Sequence, residues 1–196
     1  ITFHRVLTEA QRKLYPLPGL AVTPEELDAH LKFATRHFHC LSLTAALDAW
    51  SAGSRDARPL LAITFDDGQL DNHLNALPVL ERNGVTASFY IPSQILNDPN
   101  PLWHDAMATT IGQLNAPSVF HEKATQALFA QLHEAQGSRA RSPAHTDIEA
   151  ALESTKDWTA DQRKEWIRQA QKLLPQPAPH DWDGFMSVKQ MKALMA

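Results

Sequence analysis

The sequence predicts an α/β fold built on a parallel sheet. Three observations carry the prediction. Short β-branched segments alternate with amphipathic helical segments through the first half of the chain, and short connections join them. The central run Pro59-Leu-Leu-Ala-Ile-Thr-Phe65 lacks the polar alternation of a half-solvated strand, as expected of a strand covered on both faces. Strand–helix–strand units with brief linkers make their strands parallel neighbours. At 196 residues the chain has room for one domain and an insertion.

Each element has a local reason. Ile1 to Leu7 is extended and apolar enough for a strand, followed by a polar, Pro-rich loop through Pro18 and Gly19. Thr23-Pro24-Glu25-Glu26 starts a helix: Thr23 caps, Pro24 suits the first position, and Glu26 closes a capping box. Leu27, Leu31, Ala34 and Phe38 form its apolar stripe. Cys40 to Leu43 reads as a short strand. Ser42 or Thr44 caps the next helix, which carries Ala46, Leu47 and Trp50 and stops at Gly53. After the central strand, Asp66-Asp67-Gly68 breaks the pattern abruptly. A helix from about Asp71 to Asn83 should turn Leu74, Leu77, Val79 and Leu80 inward and stop at Gly84, and Val85 to Ile91 forms another strand before Pro92.

Beyond Pro101 the chain turns helical. Ala124, Leu128, Leu132 and Ala135 share one helical face, and Thr159-x-x-Gln162 caps a helix with Trp166, Ile167, Ala170, Leu173 and Leu174 on one side. Gly137 to Thr146 reads as a flexible linker between them. Residues 103–175 are therefore expected to be a helical insertion, with Pro175 to Pro179 returning the chain to the main body. Ser187-x-x-Gln190 caps a last helix bearing Val188, Met191 and Leu194.

Composition excludes several classes. Eighteen basic against 22 acidic residues give a net charge of −4, without the basic stripe of a nucleic-acid binder. With 43% apolar and 20% charged residues the chain is neither disordered nor membrane-spanning. One cysteine, Cys40, rules out an internal disulfide framework and a Cys-based zinc cluster, while ten histidines keep a His/carboxylate metal site open. No secretion signal is visible from Ile1 onward. Compartment and oligomeric state are not legible.

The Asp66–Asp67 pair is the leading chemical feature. In parallel folds functional groups gather where strands end. Adjacent carboxylates there point in different directions, so one can bind a metal while the other meets water or substrate. The plainer alternative is a turn, since Asp and Gly are common at strand–helix junctions.

Leu61-Ala-Ile-Thr-Phe-Asp-Asp-Gly68 resembles the first motif of the polysaccharide deacetylases, the NodB-homology domain of carbohydrate esterase family 4. Phe3-His4-Arg5-Val6 resembles the family's opening strand, and Phe38 to Leu47 its strand, Ser-Leu and short-helix step. Asp71-Asn72, Ala76 to Leu80, Gly84 to Ile91, Leu102-Trp103-His104-Asp105 and Met186 to Leu194 follow in the family's order. The resemblance covers most of residues 1–110 and 184–196. It implies a distorted (β/α) barrel, incomplete here, and a divalent-metal hydrolase, zinc foremost, that removes N-acetyl or O-acetyl groups from a polysaccharide or oligosaccharide.

Matched residue by residue, Asp66 is implied as the general base and Asp67 as a metal ligand. Water is a poor nucleophile and an amide a poor electrophile, so a bound ion and a nearby base suit the task. His4, Asp71 and Trp103 are implied as supporting or substrate-contacting residues near the site. His4 more simply packs or donates a second-layer hydrogen bond, and Asp71 with Asn72 caps or braces the following helix. His73 is expected on a solvated helix position rather than facing the cleft. Of the tryptophans 103, 158, 166 and 182 that could stack on sugars, Trp166 has core spacing.

The departure is in the histidines. The family completes its metal with two histidines one helical turn apart. Here the nearest pair, His37 and His39, stands two apart at a helix end. The chain is therefore expected to be the N-terminal portion of a longer deacetylase, with the histidine pair further on, and an open sheet edge. Two other classes stay open on the residues alone: a non-catalytic relative that binds sugars or partners, and a magnesium-dependent phosphoryl-transfer or receiver-like domain. The latter usually carries its acidic pair on the first strand, and no Gly-rich phosphate loop supports it here.

Overall fold

The computed structural model describes residues 1–53, 57–98, 100–136, 147–174 and 180–194. Among these, β1 (Thr2–Phe3), β4 (His39–Leu41) and β6 (Ala87–Phe89) each pair in parallel with the central strand β5 (Leu60–Phe65). The register aligns Phe3, Phe65 and Phe89. Their rings stack at centroid distances of 5.4 and 5.0 Å. A one-residue slip would remove all these ring contacts, so the ladder holds the register.

The opening segment is two strands rather than one. The chain leaves the main sheet at His4, and β2 (Arg5–Val6) pairs in parallel with β3 (Ala21–Val22) in a separate sheet. Side chains then do the work of a missing neighbour strand. Asp71 Oδ1 accepts from the Val6 N–H at 2.6 Å, Asn72 Nδ2 donates to the His4 carbonyl at 2.9 Å, and Asn75 Nδ2 donates to the Val6 carbonyl at 2.7 Å. These bonds satisfy backbone groups that burial would otherwise leave unpaired.

Local chemistry accounts for the helices that cover the sheet. The α1 turn (Glu9–Arg12) and α2 (Pro24–His37) both start on complete capping boxes, Thr8 with Gln11 and Thr23 with Glu26. Leu27, Leu31 and Ala34 of α2 are buried, and Phe38 leaves the stripe as an extended, half-buried cap residue. In α3 (Leu43–Ser51) Ser42, not Thr44, is the cap, accepting from the Ala45 N–H.

The helix after the Asp pair differs from expectation. It opens as a π-helical turn, Asn72–Ala76, before becoming α4 (Leu77–Asn83), and Gly84 closes it in the left-handed region. The wider π winding shifts the faces. Leu74 points outward, 47% exposed, while Ala76, Val79 and Leu80 go inward and Leu77 is half-buried. In β5 only Ile63 and Phe65 are fully buried, so cover on both faces is partial, and β6 is shorter than the expected strand at 85–91. The core of this unit joins Phe3, Val6, Leu27, Leu31, Ile63 and Phe65 to Val79, Leu80 and Val85.

The chain divides into two compact units. One comprises Ile1–Leu14, Pro18–Asn100 and His180–Ala196, and includes α10 (Val188–Ala193), capped by Ser187 and Gln190. Val188 of that helix is exposed, with Met191 and Leu194 half-buried. The other comprises Tyr15–Leu17 and Pro101–Pro179. It holds α5 (Trp103–Leu114), α6 (Pro117–Phe120), α7 (Lys123–Gln136), α8 (Ile148–Ser154) and α9 (Ala160–Gln171). Its core is Met107, Ile111, Leu114, Leu128, Leu132 and Trp166, whose Nε1 donates to the Leu128 carbonyl.

On α7 the buried face runs through Thr125, Leu128, Phe129 and Leu132, and Ala124 is exposed, one position away from the expected stripe. The Ala135 side chain, the Gly137–Thr146 linker and the Pro175–Pro179 return lie outside the described residues.

Candidate active site

Parallel strands end on the same side of a sheet, and the residues just past those ends meet there. Here they are His4 after β1, Asp66 after β5 and Tyr90 after β6. The ladder extends one residue to hold them: the Asp66 N–H donates to the Phe3 carbonyl at 3.0 Å, and the Tyr90 N–H to the Phe65 carbonyl at 2.7 Å. An open cleft of about 630 Å³ is lined by Asp66, Asp67, Tyr90, Ile91 and the Thr2 and Thr64 side chains. The two threonine hydroxyls share a hydrogen bond of 2.9 Å. His4 Nε2 stands 4.0 Å from Asp66 Oδ2, and each side chain is 37% exposed.

The turn that presents the pair is unusual in its backbone. Asp67 has φ +74°, alone among the described non-glycine residues in that region, and Gly68 follows at φ +64°. A Cβ on Gly68 would stand 3.0 Å from Ile95 Cδ1 and 3.1 Å from Ile91 Cγ2. Left-handed backbone and close packing both require glycine there. A third segment closes the loop: the Leu70 N–H donates to the Gly184 carbonyl, the Met186 N–H donates to the Gly68 carbonyl, and Gln69 bridges Phe185.

Arg5 links these parts. Its Nε donates to Asp71 Oδ2 at 2.6 Å and its Nη2 to Asp183 Oδ1 at 3.1 Å, while its guanidinium lies 5.8 Å from the Trp182 ring centroid. Arg5 and Asp71 are almost wholly buried. Burial pushes the Asp71 carboxyl above its ordinary value, against the opposing pull of the Arg5 charge and the Val6 N–H.

Of the residues singled out in the sequence, Asp66, Asp67 and His4 come together. Asp71 does not line the cleft; it is fully buried, out of reach of any substrate, and braces β2 without capping its own helix. Trp103 belongs to the helical unit, where the Arg163 guanidinium covers its ring at 4.4 Å. Tyr90, Thr2 and Thr64 were not singled out. The strand-end rule would have marked Tyr90 had the strand been ended at Phe89 rather than Ile91. His73 is half-buried on the π turn, and His37 is exposed beside Phe33.

A tetrahedral zinc takes three or four protein donors. No three His, Cys, Asp or Glu side chains among the described residues, Asp66 and Asp67 included, come together as a metal-holding group. The described residues therefore do not fit the ion by themselves.

The family model for polysaccharide deacetylase matches residues 53–176, and the chain belongs to that family. Among solved structures it is similar to a de-N-acetylase from Aggregatibacter actinomycetemcomitans, 19% identical with a TM-score of 0.43, over 52% of this chain and 41% of that one. It is also similar to the Streptococcus pyogenes deacetylase PplD in complex with acetate, 14% identical with a TM-score of 0.43, over 79% of this chain and 78% of that one. The chain thus spans less than half the length of the first of these. No curated protein matches.

Proposed function

We propose that the chain carries part of the active site of a metal-dependent hydrolase that removes acetyl groups from a polysaccharide, on a sheet that belongs to a distorted (β/α) barrel. The observation that supports it most is the Asp66–Asp67 pair, placed after the central strand at the mouth of an open cleft in a chain of this family. Asp66 is the base that takes a proton from the attacking water. His4, 4.0 Å away, takes that proton on from Asp66 and gives it to the departing amine nitrogen as the C–N bond breaks. The Thr2 and Thr64 hydroxyls and the Tyr90 ring offer polar and apolar surface to a sugar. Asp67 is proposed as a ligand to a divalent ion, zinc foremost, whose other ligands are not among the described residues. No step here is routed through that ion.

The test is acetate release from acetylated oligosaccharides by a full-length protein that carries this chain, supplied with divalent metal, compared with its Asp66→Asn variant. Release by the wild type and its loss in the variant are expected. Release that survives Asp66→Asn, or phosphorylation of Asp66 or Asp67 by a small phosphodonor, overturns the assignment.

A further inference from the structure

We propose that the helical unit holds a carbohydrate-binding groove of its own, in which a neutral hexosamine ring of a polysaccharide seats against Trp158. Every described residue that lines this groove belongs to the helical unit. Its volume of about 410 Å³ falls within the range of small-molecule sites, roughly 300–1,000 Å³.

The lining has the composition a sugar ring requires. Trp166 is 1% exposed, is held by its bond to the Leu128 carbonyl, and forms an apolar floor. Trp158 is only half-buried, so part of its indole is available to the C–H face of a pyranose. Along α9, Asp161, Glu165 and Gln169 recur at four-residue steps and so share one face, and Gln131 enters from α7.

The polar groups are not all spent. Glu165 is committed, accepting from Arg168 and Gln169. Gln162 uses its carbonyl oxygen on the Thr159 N–H, which leaves its amide N–H groups as donors. Asp161 then supplies acceptors and the Gln131 amide supplies both kinds, matching hydroxyl and acetamide groups that donate and accept. Charge narrows the class further. Among the described residues no Lys or Arg lines the groove and two carboxylates do, which disfavours phosphate, sulfate or uronate. A nucleotide would also stack on an indole, but its phosphates meet that same repulsion. Only the choice of hexosamine rests on the polysaccharide reading above.

The experiment is a titration of the full chain with the N-acetylglucosamine tetramer, followed by tryptophan fluorescence and by NMR. Saturable binding is expected, weakened about tenfold or more by Trp158→Ala. Gln131→Ala and Asp161→Ala, both at exposed positions that leave the fold in place, should weaken it several-fold, and Asp66→Asn should leave it intact. An anionic polygalacturonate oligomer should not bind. Absence of saturation overturns the proposal, as does wild-type affinity in all three groove variants, binding lost in Asp66→Asn, or equal binding of the anionic oligomer. Acetate release is scored separately, on the full-length protein with divalent metal. Trp158-dependent binding without acetate release sinks the hydrolase and leaves the groove; acetate release without such binding sinks the groove alone.

Discussion

Asp66 and Asp67 are neighbours in the chain with different backbone demands. Asp66 continues the β5 ladder through its N–H and keeps one carboxylate oxygen near His4, whereas Asp67 sits in left-handed backbone that side chains seldom adopt. Asp66→Asn keeps shape and removes the oxygen proposed as the base, so acetate release should fall by roughly 10²–10⁴ while the melting temperature stays within about a degree or two. An inactive variant that has also unfolded would show that Asp66 holds structure instead. Gly68→Ala meets both an unfavourable φ and the Ile91 and Ile95 side chains, and should cost about 2 kcal/mol in urea unfolding. An unchanged urea midpoint would mean the loop relaxes without strain.

Between elements, polar side chains tie parts that pattern alone leaves separate. Asp71 holds β2 through the Val6 N–H and neutralises buried Arg5. Asp71→Ala removes the buried partner of that guanidinium and should destabilise by about 3–5 kcal/mol, whereas Asp183→Asn, at a half-exposed partner, should cost less than about 1 kcal/mol. Equal losses would refute the buried pair as the main tie. Asp28 joins α2 to α4: Oδ1 accepts from Arg82 and Asn83, and Oδ2 pairs with Lys32. The Lys32, Asn83 and Arg82 donors hold its carboxyl well below its ordinary 3.8. An acid with a lowered folded-state pKa stabilises the fold above its unfolded value and loses that contribution as pH falls through the folded one. Asp28→Asn should therefore lower the melting temperature at pH 7, with the gap to wild type closing below about pH 4. A gap that stays constant down to pH 2 would assign the effect to packing.

At the scale of the molecule, local signals were legible and long-range partnerships were not. The capping boxes at Thr23, Thr159 and Ser187 and the stop at Gly84 stand where the residues place them, because each is complete within four or five neighbours. The split of the first strand at His4 was not legible, since it depends on Asp71, Asn72 and Asn75, nearly 70 positions away. Asp71 and Asn72 read locally as the cap or brace of the following helix. The one-residue error on α7 has a similar origin: Thr125 is polar by type and buried by context. Metal binding also belongs to this scale. With no three-donor group among the described residues, zinc titrated into the chain should show no tight stoichiometric step by calorimetry. A tight step removed by Asp67→Ala would reveal ligands elsewhere in the chain.

Sequence alone determined the parallel α/β plan, the helix boundaries set by caps, and the place of the acidic pair at the end of the central strand, because periodicity, capping and a strand-end motif are short-range properties. Tertiary structure decided which groups surround that pair. His4 and Tyr90 reach Asp66 only through the register of three parallel strands, and Arg5 meets Asp71 and Asp183 only when three distant segments close together. Burial makes those partnerships necessary: a buried charge or backbone amide must find its partner wherever in the chain that partner lies.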